Sequence, residues 1–170
     1  MTTEDRAEEI AEAGVEESVE RRLPPTWPTL SKATYQGTTN TYKIQTVMGL
    51  QCLLNHWNSS LSLYIDGDFG SVTESAVKSF QTANGLYVDG IAGPITLSAL
   101  IVDVQYGSVN SAVKGAQNLL FKYVSSYMTI DGYFGTETLD ATKSFQSSMG
   151  IIVDGYIGPQ TWQPLFGYNV

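Results

Sequence analysis

The sequence predicts an all-α protein built of two tandem three-helix modules. Two observations support this prediction: one stretch of the chain occurs twice, and apolar residues near each copy recur at steps of three and four. Residues 66–97 and 131–162 align without a gap, and their identical positions are mostly glycine, proline and apolar residues. Two copies that agree at conformational and buried-type positions indicate one fold used twice.

The first module is predicted to contain three helices, one before the repeated stretch and two within it. Residues 41–57 carry apolar side chains at steps of three and four, which places them on one helix face. A second helix is expected to begin near Ser71, which forms a capping-box pattern with Glu74. Gly93 and Pro94 open a third, short helix, because proline is tolerated at the first helical position. Each module is therefore three helices joined by two glycine-rich Asp-Gly turns.

The second copy predicts the same order, with helices at about residues 110–123 and 136–149 and a last helix opened by Gly158 and Pro159. Residues 29–42 are expected to be extended or irregular. The expected domains are an acidic tail with a Pro-rich linker at 1–28, a first module at 29–101 and a second module at 102–170. Units of this size have marginal cores, so contact between the modules would stabilise both.

The N-terminal segment differs from the rest in composition. Residues 1–22 hold eight acidic residues against three arginines, within a chain of net charge −8. Their apolar stripe is thin, and an isolated helix of this length is marginal in water, so we expect a frayed helix or a disordered tail. The expected role is solubilising, with docking of residues 1–25 to a protein partner as the alternative. Prolines in residues 23–28 end any helix, and Trp27 in this linker is able to pack onto the body.

Composition also restricts the class of function. The acidic balance argues against nucleic-acid binding, which needs clustered Lys and Arg. No apolar run reaches the about 20 residues that a membrane span needs, and the acidic N-terminus does not have the form of a secretory signal. A single cysteine, Cys52, excludes an intrachain disulfide and a cysteine-based zinc cage. Many hydroxyl groups and tyrosines suit an uncharged polar ligand such as a glycan.

Each of the four Asp-Gly turns begins with an aspartate. These are Asp66, Asp89, Asp131 and Asp154. An aspartate directly before a glycine bonds backbone N–H groups just after it, so a structural role in the turn explains the recurrence. Acid–base catalysis would instead need two carboxylates that face one cleft. A calcium loop is the other alternative, but Tyr133 stands in the second copy where the first has Asp68.

The sequence does not contain the residues that other catalytic sites or a metal site would need. His56 is the only histidine, four residues after Cys52, so neither a zinc site with three or four ligands nor a histidine-based triad can be assembled. The glycines do not match the spacing of a phosphate loop. We therefore expect no enzyme activity, no cofactor and no metal.

The repeated residues carry a family resemblance. In the first copy they are Leu50-Gln51, Asp66–Gly70, Thr73–Gln81 and Gly85–Thr96; in the second they are Ala116-Gln117, Asp131–Gly135, Thr138–Gln146 and Gly150–Thr161. This series resembles the peptidoglycan-binding domain type 1 family over about residues 43–166. The resemblance implies a three-helix module that attaches proteins to bacterial cell-wall peptidoglycan, usually beside a separate catalytic domain.

The chain departs from the family pattern in three ways. It has no recognisable catalytic domain and no recognisable export signal, and Ala116 stands where the second copy would carry leucine. The resemblance implies a location in the cell wall or outside the cell. With these departures, the resemblance implies one of three kinds of protein: a stand-alone wall-binding subunit, a component of a phage or injection system, or a fragment of a larger protein.

Because the motif residues are mostly framework, we expect the ligand surface at exposed positions beside the turns. Aromatic side chains stack there on sugar rings, and amides bond hydroxyl and N-acetyl groups. The candidate residues are Tyr64, Tyr87, Tyr133, Tyr156, Trp162, Gln81 and Gln146. The alternative is that the glutamines support the turns and that several tyrosines pack between the modules.

The predicted function is non-catalytic, bivalent binding of peptidoglycan, through its glycan strand or its stem peptide. Two weak modules on one repeating polymer gain avidity through effective concentration. The alternative is a scaffold or adaptor that uses the same fold to contact a protein, with the acidic tail as a docking or targeting peptide. A hydrolase with an unfamiliar site is the third hypothesis.

Overall fold

The computed structural model describes residues 25–124 and 128–170, so the predicted tail at residues 1–24 lies outside the described residues. In these two ranges the chain is all-helical, as predicted, with three isolated β-bridges and no β-strand. None of the helices in the described part combines the length and the apolar character needed to cross a membrane.

Two sets of three helices follow one another along the chain, and a short helix precedes the first set. The helices are α1 (Lys32–Tyr35), α2 (Thr41–Trp57), α3 (Ser71–Ala83), α4 (Pro94–Leu100), α5 (Ser111–Val124), α6 (Thr136–Met149) and α7 (Pro159–Gly167), with a 3-10 turn at Ser59–Leu61. Pro94 and Pro159 are the first residues of α4 and α7, as the sequence predicted.

Two local expectations are wrong. Residues 29–42, expected to be irregular, contain the short helix α1. The capping box expected at Ser71 does not form, because the extended backbone of Gly70 places the N-cap of α3 one residue earlier. The Ser71 hydroxyl instead accepts a hydrogen bond from the Lys32 ammonium at 2.9 Å.

The two modules pack together through their first helices, α2 and α5. Gly49 and Gly115 lie at this contact. A Cβ atom built on Gly115 would stand 3.1 Å from the Gly49 carbonyl oxygen, and one built on Gly49 would stand 2.8 Å from Leu119 Cγ. The close approach joins the buried residues of both modules into one hydrophobic core, which offsets the small size of each module.

The linker at residues 25–30 also contacts both modules. Trp27 packs on Phe166 of α7, with the ring centroids 6.0 Å apart. Leu30 pairs with Ala92 in the second turn of the first module, through backbone hydrogen bonds of 2.9 and 2.8 Å. The linker therefore connects the last helix of the second module to a turn of the first.

Lys122 of α5 is a buried cation in the contact between the modules. Its ammonium donates to the Thr46 hydroxyl at 2.9 Å and to the Phe166 carbonyl at 3.2 Å. It thus joins α5 to α2 of the first module and to α7 of the second. Burial lowers the pKa of Lys122 to about 7, because desolvation disfavours the charged form.

We expect the free energy of unfolding to rise between pH 7 and about 8.5, by up to about 1.4 kcal/mol per pH unit. In this window the unfolded chain keeps the proton on Lys122, whereas the folded chain has largely lost it. The cost of burying the ammonium is greatest below pH 7 and is removed as the pH rises. Urea unfolding of the wild type and of Lys122→Met across this range measures the effect, and the variant should lose the slope.

The exposed Lys143 offers a matched control, because Lys143→Met should leave the slope in place. The window ends near pH 8.5 because burial also raises the pKa of the Cys52 thiol to about 11. Above the ordinary thiol pKa of about 8.5 the unfolded chain loses a proton that the folded chain keeps, which lowers stability. Equal slopes in the wild type and Lys122→Met would contradict the prediction.

Candidate functional site

Each of the four Asp-Gly turns is held by its own buried glutamine side chain. In the first turn the Gln51 amide oxygen accepts the Gly67 N–H at 3.0 Å, while its nitrogen donates to the Asp66 carboxylate at 2.8 Å and to the Thr73 hydroxyl at 3.1 Å. The nitrogen also donates to the Asp68 carbonyl at 3.2 Å. Both ends of the buried amide are therefore satisfied.

The same set of bonds occurs in all four turns. We call each set a glutamine clasp, meaning a helical glutamine together with the segment Asp-Gly-x-x-Gly-x-x-Thr that it holds. The first to fourth clasps are Gln51 with residues 66–73, Gln81 with 89–96, Gln117 with 131–138 and Gln146 with 154–161. In each clasp the glutamine lies on one helix and the threonine on the next, so the clasps connect successive helices within a module.

The aspartate and the glycine of each clasp have conformational roles. The carboxylate accepts the N–H two residues further on, at 2.9 Å in every clasp. In the third clasp this bond from the Tyr133 N–H, with that from Gln117, holds the pKa of Asp131 below its usual range. The glycine after each aspartate has a positive φ, for example +74° at Gly155, a region that favours glycine.

Three of the predicted ligand contacts lie in the interior instead. Gln81 and Gln146 are buried within clasps, and Trp162 is fully buried and donates its indole N–H to the Val102 carbonyl at 2.7 Å. Gln146 and Trp162 therefore belong to the framework, whereas Gln81, although buried, also borders the second-clasp pocket. The sequence predicted that these three residues lie beside turns, but it did not predict that their side chains point into the interior.

The other four candidates lie at the surface in two arrangements. Tyr64 and Tyr87 each stand two residues before a clasp aspartate and are 88% and 85% exposed. Tyr133 and Tyr156 instead follow the clasp glycine, and each ring lies over the next glycine of its clasp. The Tyr156 hydroxyl is also hydrogen-bonded to the Asp103 carboxylate, which raises the pKa of Tyr156.

A pocket opens beside each clasp of the first module. The first-clasp pocket has a volume of about 340 Å³ and includes Tyr64, Leu63 and Val72 in its walls. The second-clasp pocket has a volume of about 260 Å³ and includes Tyr87 and Ile95. Small-molecule sites typically start near 300 Å³. The first-clasp pocket lies just above this volume and the second-clasp pocket just below it, so each has room for one small group.

The chemical groups at these surfaces are ring faces, hydroxyls and amides, which are groups able to bond to a polar ligand. Among residues 25–124 and 128–170, no group of three or more His, Cys, Asp or Glu side chains is placed to hold a metal ion. Cys52 is buried between the modules, where the Asn118 amide lies 3.7 Å from its sulfur.

Gln146→Glu is expected to lower the free energy of unfolding by about 2–4 kcal/mol. A carboxylate has no N–H for Thr161 or the Tyr156 carbonyl, and it buries a charge beside Asp154. Gln160→Glu is the matched control at an exposed position of α7, with an expected change within about 0.5 kcal/mol. Urea unfolding measures both variants, and equal stabilities would contradict the role given to the clasp.

The chain is similar to one family of domains and to two known proteins. The family described as "Putative peptidoglycan binding domain" matches residues 45–100 and 109–165. The "Uncharacterized protein in bpoA1 3'region" of Kitasatospora aureofaciens is 45% identical over 56 residues, which are 32% of this chain and 47% of that protein. A crystal structure of a peptidoglycan-binding protein from Clostridioides difficile in complex with glutamine hydroxamate has 37% identity and a TM-score of 0.34, over 39% of this chain and 40% of that one.

The matched region spans less than half the length of either of these two relatives. The family match, in contrast, includes both modules and all four glutamine clasps, over about two thirds of the chain. The resemblance predicted from the repeated residues is confirmed. The chain belongs to the peptidoglycan-binding domain family, with two copies of the domain in tandem.

Proposed function

We propose that this protein binds bacterial peptidoglycan without catalysis and uses both modules to do so. Membership of the family supports peptidoglycan binding and an association with the cell wall. The observation that carries the proposal is that a tyrosine lies beside each of the four clasps, exposed at Tyr64, Tyr87 and Tyr133 and half-buried at Tyr156. The clasp carboxylates bond to backbone N–H groups within their own turns, which supports a framework role for them rather than acid–base chemistry.

The ligand contacts in this proposal are Tyr64, Tyr87, Tyr133 and Tyr156. Tyrosine rings stack on the C–H faces of sugars, and their hydroxyls bond to polar groups at the edge of the ring. The backbone beneath each tyrosine is fixed by a clasp, so little conformational entropy is lost when the ligand binds.

Bivalency follows from the way in which the modules are joined. The helices α2 and α5 share one core, and the linker at residues 25–30 contacts both modules. Two surfaces held on one body engage a repeating polymer with a high effective concentration once the first surface has bound. Weak binding by each module then gives a much tighter attachment of the whole protein.

The full chain is expected to co-sediment with purified, protein-free peptidoglycan sacculi while the turbidity of the suspension stays constant. An unrelated acidic protein of similar size is the control for trapping in the pellet. Recovery of the chain in the supernatant with several wall chemotypes would reject peptidoglycan binding and favour an adaptor that contacts a protein. Falling turbidity would reject the non-catalytic part of the proposal.

Bivalency is tested by substitution, because separating the modules would expose their shared core. We expect the pair Tyr64→Ala and Tyr87→Ala, and separately the pair Tyr133→Ala and Tyr156→Ala, to weaken co-sedimentation. Each pair should weaken it by a factor of about ten or more because the avidity is lost with either module, and all four substitutions together should also remove the remaining monovalent binding. Tyr42→Ala, at an exposed tyrosine outside both pockets, is the control. A pair without effect would show that its module does not contribute.

A further inference from the structure

We propose that the first module carries the principal sugar subsites of this protein: two pockets, each of which takes one uncharged N-acetylated sugar ring of the glycan strand. In the second module a Thr129–Glu137 contact and the rings of Tyr133 and Tyr156 lie over the turns. The two modules therefore contribute unequally to wall binding. This inference rests on the proposed function and deepens it, because it names the surface and the part of the polymer.

The four clasps allow the modules to be compared position by position. Two positions differ between the modules in a consistent way. Two residues before the clasp aspartate, the first module has tyrosine and the second does not: these residues are Tyr64, Tyr87, Thr129 and Ile152. Directly before the clasp threonine, the first module has an aliphatic residue and the second a polar one: these residues are Val72, Ile95, Glu137 and Gln160.

In the first module these side chains border open pockets. Val72 and Ile95 are 70% and 73% exposed, and each lies in a pocket wall together with an even more exposed tyrosine. Single exposed apolar residues are common on protein surfaces. An aromatic and an aliphatic side chain that are exposed together beside a concave surface, twice at equivalent positions, indicate a surface kept free for a ligand.

In the second module the pair in the third clasp is bonded, the pair in the fourth clasp, Ile152 and Gln160, is exposed, and a tyrosine ring lies over each turn. In the third clasp the Glu137 carboxylate accepts hydrogen bonds from the Thr129 N–H and, at 3.2 Å, from the Thr129 hydroxyl. The Tyr133 ring lies over Gly135, so closely that a Cβ there would stand 2.7 Å from it. The Tyr156 ring covers the corresponding glycine of the fourth clasp at the same distance. The space that is open in the first module is therefore occupied here.

The lining of the first-clasp pocket suits a neutral sugar. The Tyr64 ring offers a face for stacking, and Val72 offers an apolar contact for the methyl group of an N-acetyl substituent. The Ser62 and Ser71 hydroxyls and the Gln36 amide line the same pocket and are able to bond sugar hydroxyls. The second-clasp pocket repeats the aromatic and aliphatic pair with Tyr87 and Ile95.

The charges at the first-clasp pocket argue against the stem peptide as its occupant. Asp66 and Asp68 belong to its wall and disfavour a carboxylate ligand through like-charge repulsion. The Oδ1 atoms of both are engaged within the fold, because Asp66 Oδ1 accepts from Gln51 and from the Asp68 N–H, and Asp68 Oδ1 accepts the Gly37 N–H at 2.6 Å. An uncharged N-acetylglucosamine unit avoids the repulsion and needs no counter-ion.

The test exchanges the differing residues between the modules in the full chain. The closed variant carries Y64T, V72E, Y87T and I95E, which transfers the threonine and glutamate of the third clasp to the first module. The opened variant carries T129Y, Y133D and E137V, which gives the third clasp the residues of the first. The control is Y64F with Y87F, which keeps both rings. All substituted side chains are exposed, and thermal unfolding checks that each variant remains folded. Binding is measured to sacculi and to a tetramer of N-acetylglucosamine.

We expect the closed variant to lose affinity for both sacculi and the tetramer by roughly tenfold or more, and the phenylalanine control to stay within about twofold. The opened variant should bind the tetramer more tightly than the wild type. A wild type that does not bind sacculi would reject the proposed function itself. If the wild type binds sacculi but the closed variant binds them equally well, only the present inference is overturned.

Two further outcomes would also overturn it. Loss of sacculus binding in the closed variant, with no binding of the tetramer by the wild type, would assign the pockets to the peptide rather than to the glycan. No gain in the opened variant would show that Thr129, Tyr133 and Glu137 do not close the third clasp.

Discussion

The buried glutamine amide is the constraint on which the rest of the structure depends. Each unpaired polar group in the interior would cost about 1–3 kcal/mol, so the amide of Gln51 and of its three counterparts must find partners at both ends. Only a turn that presents an aspartate carboxylate, a glycine N–H, a carbonyl and a threonine hydroxyl at fixed places satisfies it. A surface loop that would otherwise be mobile is thereby tied to two helices, and the side chains on its outer edge acquire fixed positions.

The contact between the modules adds a second level of rigidity. Small residues at Gly49 and Gly115 let α2 and α5 approach closely. Lys122 joins α5 to α2 and α7, and the linker at residues 25–30 joins α7 to the Ala92 turn of the first module. Lys122 has no acidic partner among the described residues, and burying such an ammonium is costly. The stability of the contact between the modules therefore depends on pH through Lys122, whereas the apolar residues of the contact do not titrate. A fixed relation between the modules matters for binding, because a rigid pair of surfaces loses less entropy on a polymer than two tethered ones.

Much of the fold was predictable because it depends on local patterns. Helical spacing at residues 41–57 gave the bounds of α2, and the proline signal gave the starts of α4 and α7. Residues whose roles depend on distant partners were not predictable. Lys122 has the sequence signature of a solvated lysine, and only the folded packing places it beside Thr46. The direction of Trp162 depends on tertiary packing in the same way. The framework role of the glutamines, given as the alternative to a ligand contact, did have a sequence signal, because a glutamine precedes the Asp-Gly segment in all four turns.

The clasp explains how two copies of one framework present different surfaces. None of its hydrogen bonds uses the side chain two residues before the aspartate or the one directly before the threonine. Exchanging Val72 for a glutamate therefore changes what a ligand meets without removing a bond that holds the turn. Where the side chain before the threonine reaches back, as Glu137 does to Thr129, the framework stays the same and the pocket is covered. Stability and recognition thus reside in different residues of the eight-residue segment and the two residues before it, so a variant that changes one is expected to leave the other largely intact.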